Sequence, residues 1–177
     1  MKPRQINEVY QAAFAELPIP GHRIHFMLAV LDCFSRYLLL LRVFSERTAQ
    51  AMVEGLKEAL DEARTMSHLE GSRRISLVAD CGSAIAPAEL SKHIAGMPFL
   101  LNPLTNRTFR SLGMIRRLTW TITDEEISLH SYCDPGEAQR SLERFRQTFN
   151  FERPHQTLGY RVPADFFCRT SSSRSIQ

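Results

Sequence analysis

Residues 24–44 of the chain read IHFMLAVLDCFSRYLLLLRVF, two apolar runs joined by a short polar connection. The runs Ile24 to Leu31 and Tyr37 to Phe44 are dense in apolar, β-branched and aromatic residues. Both are too short for buried helices between their breakers, so they predict two strands. The polar connection of this predicted hairpin contains Asp32, Ser35 and Arg36.

The segments on either side of this hairpin extend the same pattern. Val9 to Leu17 predicts a preceding strand, because a turn containing Pro18, Pro20 and Gly21 separates it from the hairpin. After the hairpin the apolar period changes to three and four, which predicts an amphipathic helix capped by Ser45 or Thr48. The apolar positions of that helix are Ala49, Met52, Val53, Leu56, Ala59, Leu60 and Ala63.

The second half of the chain alternates strands and helices. Ile75 to Ala79 predicts a strand that ends at Asp80, and Phe99 to Leu101 predicts another short strand. Helices are predicted for Pro87 to Ile94, Ser111 to Ile122 and Pro135 to Phe149, the last with an apolar stripe and with Arg146 on another face. A meander followed by strand–helix–strand units indicates an α/β fold, a mixed sheet with helices on its faces.

Length and composition exclude several classes of protein. The 177 residues suffice for one domain, and 44% hydrophobic with 23% charged residues is neither a disordered nor a fibrous composition. The longest apolar runs are far shorter than the ~20 residues of a membrane span, and the first residues lack the apolar region of a secretory signal. We therefore expect a cytoplasmic protein without a membrane partner. The four cysteines include no CxxC pair, so reduced thiols are expected.

The positive charge is concentrated in one part of the chain. The formal net charge is +3, and the excess of basic residues lies in the second half. The stretch 102–123 contains no acidic residue and holds Arg107, Arg110, Arg116 and Arg117. Because an arginine can donate two hydrogen bonds to one phosphate, this stretch suits a phosphate-bearing partner. A solvated basic face without a partner is the alternative.

Four motifs, in this order, resemble the catalytic core of bacterial insertion-sequence transposases and retroviral-type integrases. They are Val30 to Tyr37, the Asp80-Cys81-Gly82-Ser83 turn, Glu152 to Tyr160 (ERPHQTLGY) and Pro163 to Phe167 (PADFF). The resemblance spans Tyr10 to Phe167, so residues 1–168 are expected to form one integrase core-like domain and residues 169–177, which are serine-rich, a disordered tail. It implies a ribonuclease H-like fold, with a five-stranded mixed sheet whose first three strands are antiparallel and helices on both faces.

The family's chemistry implies two aspartates and a glutamate that hold two divalent ions, Mg²⁺ or Mn²⁺, for in-line attack at a phosphate. The second aspartate of the family falls on Asp80. The family's glutamate is separated from it by thirty-five residues and lies in a glycine-x-isoleucine-glutamate-arginine helix start. Gly113-Met114-Ile115-Arg116-Arg117 occupies that place, with Arg116 at the position of the glutamate. The first aspartate, three residues after an aromatic, falls on Ala13.

The substitutions at Ala13 and Arg116 leave Asp80 as the sole surviving member of the triad. An arginine pairs with Asp80 and repels a metal ion, so we expect little or no binding of Mg²⁺ or Mn²⁺. Four other carboxylates are not expected to replace the missing metal ligands. One is predicted on the opposite face of its strand, one in the hairpin turn, and two more than two helical turns beyond Arg116: Glu16, Asp32, Glu125 and Glu126. Asp80 itself has two open interpretations, a turn residue or a residual metal ligand.

Two further residues have a structural and a functional interpretation. His155 is expected to dock the last helix onto the sheet rather than to contact phosphate. Trp120, the single tryptophan, is expected to pack in the interior rather than to stack on a base. No segment of the sequence resembles the helix-turn-helix with which the family recognises transposon ends, so sequence-specific DNA binding is expected to need a partner or another segment.

The resemblance thus implies a protein associated with DNA integration whose polynucleotidyl transferase site is inactive. It retains at most DNA binding without sequence preference, for which the expected residues are Arg107, Arg110, Arg116 and Arg117. Two alternatives stay open. One is an active metal-dependent strand transferase with an altered site around Asp80. The other is a non-catalytic subunit that forms a homodimer or associates with a full-length transposase.

Overall fold

The computed structural model describes residues 3–69, 74–80, 84–102 and 112–168, and every structural statement below refers to these residues. The strands are β1 (Val9–Leu17), β2 (His25–Asp32), β3 (Leu38–Phe44), β4 (Ile75–Asp80) and β5 (Phe99–Leu101). The helices are α1 (Ala49–Ser67), α2 (Pro87–His93), α3 (Gly113–Glu125), α4 (Pro135–Phe151) and α5 (Ala164–Phe167). Short 3₁₀ turns cover Ile127–Leu129 and Gln156–Leu158.

The β2–β3 hairpin turns around the fully buried carboxylate of Asp32. Its Oδ2 accepts hydrogen bonds from the Ser35 backbone N–H at 2.8 Å and the Ser35 hydroxyl at 2.7 Å. Its Oδ1 accepts one from the Asn7 backbone N–H at 2.9 Å. Burial raises the pKa of this carboxyl, and these hydrogen bonds oppose the rise. Asp32 therefore holds the turn of the hairpin.

The five strands form one mixed sheet in the order β3-β2-β1-β4-β5. The pairs β1–β2 and β2–β3 are antiparallel, whereas β1–β4 and β4–β5 are parallel. The predicted ribonuclease H-like arrangement, with three antiparallel strands first, is confirmed. Helix α3 begins at Gly113 and continues to Glu125, three residues beyond the predicted end.

Strand alternation divides the core between the two faces of the sheet. On one face Tyr10 and Ala12 of β1 pack with α1 and α2, and on the other Ala13 and Leu17 pack with α3 and α4. Thr48 caps α1 by accepting a hydrogen bond from the Ala51 amide at 3.1 Å. A Cβ added at Gly55 would lie 2.3 Å from Leu28 Cδ2, so glycine is needed where α1 touches the sheet.

Helix α4 closes the outer edge of β3 with its side chains. The Asn150 amide accepts from Leu38 N–H at 2.8 Å and donates to Leu38 C=O at 3.0 Å. Gln139 makes the equivalent pair of bonds with Val43 N–H and Leu41 C=O, at 2.7 and 3.1 Å. An open strand edge is a template for pairing with another strand. The side-chain amides of Asn150 and Gln139 occupy hydrogen-bonding positions that a sixth strand would otherwise use.

Arg146, predicted to lie outside the apolar stripe of α4, joins this helix to α1 through an ion pair. Its side chain is 12% exposed and is paired with Glu62 of α1 at 3.0 Å and with Glu143 at 2.8 Å. Glu62 also accepts a hydrogen bond from the Tyr37 hydroxyl at 2.9 Å. A buried guanidinium needs such partners, and only the fold brings α1 and α4 together at this point.

Three of the four cysteines, Cys33, Cys133 and Cys168, lie in the described part of the chain and are free thiols. Cys81 lies outside the described residues, as does the 169–177 segment for which a disordered tail is predicted. Within the described ranges, every helix is too short or too polar to cross a membrane.

Candidate functional site

Ala13, in the middle of β1, lies opposite Asp80, the last residue of the neighbouring parallel strand β4. They are direct register partners in the β1–β4 ladder. Ala13 and Val78 belong to the core beneath α3 and α4, and alternation along β4 places Asp80 on the same face as Val78. The structure therefore brings together two of the positions at which the sequence predicts triad residues.

The first turn of α3 is positioned over β1 by a buried glutamine. Leu112, at the N-cap, contributes no capping side-chain bond. Instead Gln11 of β1, which is 1% exposed, accepts a hydrogen bond from the Ile115 amide at 3.0 Å through its Oε1. This bond satisfies one of the N–H groups that every helix start leaves without an intrahelical partner. It also fixes the residue that follows, Arg116, next to the end of β4.

Arg116 holds the Asp80 carboxylate with two hydrogen bonds. Its Nη2 donates to Asp80 Oδ2 at 2.8 Å and its Nε donates to the same oxygen at 3.1 Å. The Arg116 side chain is 44% exposed and the Asp80 side chain 23% exposed, so the pair is open to solvent on one side. Charge-assisted bonds of this kind are shorter and stronger than those between neutral groups. The structure thus contains the arginine–aspartate contact that the sequence predicts.

The residues at this position do not fit a pair of divalent metal ions. Mg²⁺ prefers several oxygen ligands, commonly carboxylates, in near-octahedral geometry. Ala13 has no ligand atom, and the Asp80 carboxylate is shared with a guanidinium whose positive charge opposes that of a metal. In the described ranges, no group of three or more His, Cys, Asp and Glu side chains could hold a metal ion.

The four carboxylates weighed as substitutes are placed elsewhere. Glu16 lies three residues after Ala13 and so on the opposite face of β1. Asp32 holds the hairpin turn described above. Glu125 accepts two hydrogen bonds from the Arg153 guanidinium, which lower the pKa of the carboxyl. Glu126 is buried and accepts from the hydroxyls of Tyr132 and Ser141 at 3.1 and 2.5 Å.

Two of the four arginines predicted to bind DNA are described by the structure. Arg116 is paired with Asp80, and Arg117 is exposed on α3. Arg107 and Arg110 lie outside the described residues. Trp120, one turn further along α3, is 68% exposed, so the prediction that it packs in the interior is wrong.

The arginine-proline-histidine segment packs against the body of the domain. Arg153 forms the bidentate contact with Glu125 of α3, and the His155 ring meets Phe149 edge-on with ring centroids 4.7 Å apart. Burial lowers the pKa of His155, and the positive charges of Arg153 and Arg36 add to this effect. These contacts support the structural interpretation of His155.

Sequence reasoning missed two contributors to this region. Gln11 carries a weak signal, because it is a polar residue inside an apolar strand. The Arg153–Glu125 contact carries none, because its partners are far apart in sequence and become neighbours only through the packing of α3 and α4.

Comparisons with known proteins agree with the observed fold. Residues 106–163, about a third of the chain, match the family model described as integrase core domain. No curated protein matches the sequence. Among solved structures, a chain of the simian T-cell lymphotropic virus intasome in complex with PP2A regulatory subunit B56 gamma superposes with a TM-score of 0.73 at 14% identity. That match covers 100% of this chain and 59% of the viral chain, so the protein spans somewhat more than half of its length.

Two catalytic cores give matches over nearly their whole length. The HTLV-2 integrase catalytic core domain in complex with magnesium, in its dimeric form, has a TM-score of 0.57 and 12% identity over 93% of this chain and 97% of its own. The BIV integrase catalytic core domain has a TM-score of 0.61 and 12% identity over 91% and 93%. The resemblance to integrase cores is therefore confirmed for the fold and for the sequence of residues 106–163.

Proposed function

We propose that the protein is a transposase- or integrase-like protein associated with DNA integration, whose metal-dependent strand-transfer site is inactive and which binds DNA through its phosphate backbone. One observation carries the proposal. The Arg116 guanidinium holds Asp80 at 2.8 Å directly beside Ala13, at the place where the resemblance implies three metal-binding carboxylates.

The electrostatics of this arrangement oppose two-metal chemistry. In such chemistry the two ions stabilise the attacking and the leaving oxygen of a phosphate displacement, and the carboxylates neutralise the ions. Here one carboxylate and one guanidinium already neutralise each other, so nothing is left to offset a divalent charge. An arginine can hold a phosphate, but it cannot lower the pKa of a bound water as a metal ion does.

Binding to DNA is supported by the arginines of the same region. Arg117 is exposed beside Arg116 on α3, and the first turn of this helix contains no acidic residue. Arg107 and Arg110 precede the helix in the sequence. Contacts from such side chains to phosphates give affinity and orientation but read no base sequence.

The test is a nicking and strand-transfer assay of the purified chain with Mn²⁺, together with a DNA-binding titration without metal. We expect no products above the background of the Asp80→Asn variant, in a preparation shown to be folded by circular dichroism, and salt-sensitive binding to duplex DNA of any sequence. Products that disappear in Asp80→Asn would establish an active site with other ligands. A folded chain without products and without DNA affinity would contradict the proposed binding function.

A further inference from the structure

Trp120 projects from the solvent side of α3. The buried side of this helix is defined by Ile115, Leu118 and Ile122. Trp120 lies two residues from both Leu118 and Ile122, which in a helix turns it nearly opposite to them. Its exposed fraction of 68% agrees with this position and leaves most of the indole surface in water.

The surroundings of Trp120 are positive toward the start of the helix. Arg117 and Arg116 precede it by three and four residues, so one lies on each side of the indole one turn earlier. Gly113 lies two turns earlier on the same side, with nothing within 4 Å of the position of a Cβ. Asp124, one turn after Trp120, is the negative group on this side of α3, because Glu125 is bound by Arg153.

We propose that Trp120 is a stacking platform for an unpaired base of DNA, with Arg117 binding the adjoining phosphate. This inference rests on the proposed DNA-binding function. Aromatic side chains and arginines combine in this way at surfaces that bind single strands, because every base has a π-face and the backbone carries a regular negative charge. The strand would run over the arginine side of Trp120, since Asp124 repels phosphate at the other side.

The platform favours DNA that is single-stranded or frayed. Inside a duplex both faces of each base are already stacked on neighbouring bases, so an indole can stack only on a base that has left the helix or lies at an end. Phosphate contacts by Arg117 make no such distinction. The combination therefore predicts binding to both forms of DNA, with the tighter binding to the unpaired form depending on Trp120.

The experiment uses the intrinsic fluorescence of Trp120, which is the single tryptophan of the chain. The full chain is titrated with a single-stranded oligonucleotide and with a blunt duplex of the same sequence. We expect strong quenching by the single strand and little by the duplex. In parallel, anisotropy of labelled oligonucleotides should show about tenfold weaker single-strand binding for Trp120→Ala, nearly unchanged duplex binding, and largely retained binding for Trp120→Phe.

A matched control is Tyr160→Asn. Tyr160 is an aromatic residue of similar exposure, 72%, in the 155–161 turn, and asparagine tolerates its positive φ of 62°. This variant should bind both oligonucleotides as the parent chain does. Circular dichroism of each variant verifies that the domain is folded, and an exposed position makes unfolding by Trp120→Ala unexpected.

Three results would overturn the inference and are distinguishable from failure of the proposed function. DNA binding with no quenching, or with Trp120→Ala equal to the parent, would show that Trp120 does not contact the strand. Equal quenching by duplex would remove the preference for unpaired bases. A concentration-dependent fluorescence shift without DNA would place Trp120 between copies of the chain. Absence of all DNA binding would instead refute the proposed function itself.

Discussion

Ala13 and Asp80 are register partners in adjacent parallel strands, and the single carboxylate of this pair is held by Arg116 rather than left open to a metal. The strands keep the pairing of an integrase core, whereas the local charge differs from that of a carboxylate cluster. Where the resemblance implies three negative groups, the chain has one negative and one positive group. The strands and the helix start therefore keep their relative positions without the ions that such a cluster of carboxylates requires.

Restoring the two carboxylates should restore a metal site. In the double variant Ala13→Asp with Arg116→Glu, we expect uptake of Mn²⁺ or Mg²⁺, because three carboxylates would then converge from the middle of β1, the end of β4 and the first turn of α3. Isothermal titration calorimetry measures the uptake. The two single variants are the controls and should bind weakly or not at all. A folded double variant without metal uptake would show that the three positions do not form a site.

Removal of arginines should weaken DNA binding uniformly across sequences. The triple variant Arg107→Ala, Arg110→Ala and Arg117→Ala should bind less tightly and show a flatter dependence of log K on log salt, by about one unit of slope for each lost phosphate contact. Fluorescence anisotropy between low and moderate salt provides both quantities. Arg140→Ala, an exposed arginine on α4, is the matched control. An unchanged slope in the triple variant would exclude these arginines from the DNA surface.

The β3 edge should depend strongly on Asn150. This residue is fully buried and makes two hydrogen bonds to the backbone of Leu38. Asn150→Ala removes both, which leaves the Leu38 N–H without this partner and its C=O with only a long bond of 3.4 Å from Arg146. We therefore expect a loss of about 2–4 kcal/mol in the free energy of unfolding. Urea denaturation measures it. Gln147→Ala, which removes an exposed bond to Glu143 on the same helix, should change stability by less than about 0.5 kcal/mol.

His155 should make the fold less stable as the pH falls below neutrality. Burial, with Arg153 and Arg36 nearby, lowers the pKa of His155 in the folded state. Below its ordinary pKa of about 6.5 the unfolded chain takes up a proton that the folded chain does not. The free energy of unfolding therefore declines from about pH 7 downward until the folded pKa is reached. Denaturation at several pH values should show this decline.

The variant His155→Phe isolates this effect. Phenylalanine keeps an aromatic contact with Phe149, and His155 Nε2 has no hydrogen-bond partner in the described structure. The variant does lose the hydrogen bond between the His155 ring and the Phe149 backbone, so its pH profile is compared rather than its absolute stability. We expect the variant to be less sensitive to pH between 7 and 5 than the parent chain. An identical pH profile in both proteins would assign the dependence to other groups.

The elements were predictable because their apolar periods are local. The span of β1, the period of α1 and the Thr48 cap depend on neighbouring residues, and the structure has them where the sequence predicts them. The spacing from Asp80 to Arg116 was equally readable, since it is a count along the chain. Their actual contact follows from the fold that this spacing implies.

The exceptions depend on contacts between distant segments. Arg146 is buried because Glu62, eighty-four residues earlier, lies beside it once α1 and α4 flank β3. Trp120 is exposed because Ile115, Leu118 and Ile122 already occupy the side of α3 that meets the sheet. Residue type alone would place the tryptophan inside and the arginine outside, and packing decides the opposite in both cases.

Arg116 contacts a single oxygen of Asp80, and this contact makes the order of two substitutions matter if a metal site is to form by single steps. Ala13→Asp alone adds a second carboxylate beside a guanidinium, which is an acceptable neighbour. Arg116→Glu alone places two carboxylates together with no cation and too few ligands for a tightly held ion. If position 13 changes first, the intermediate keeps a cation beside its two carboxylates, whereas if position 116 changes first, the intermediate has no arginine to hold Asp80.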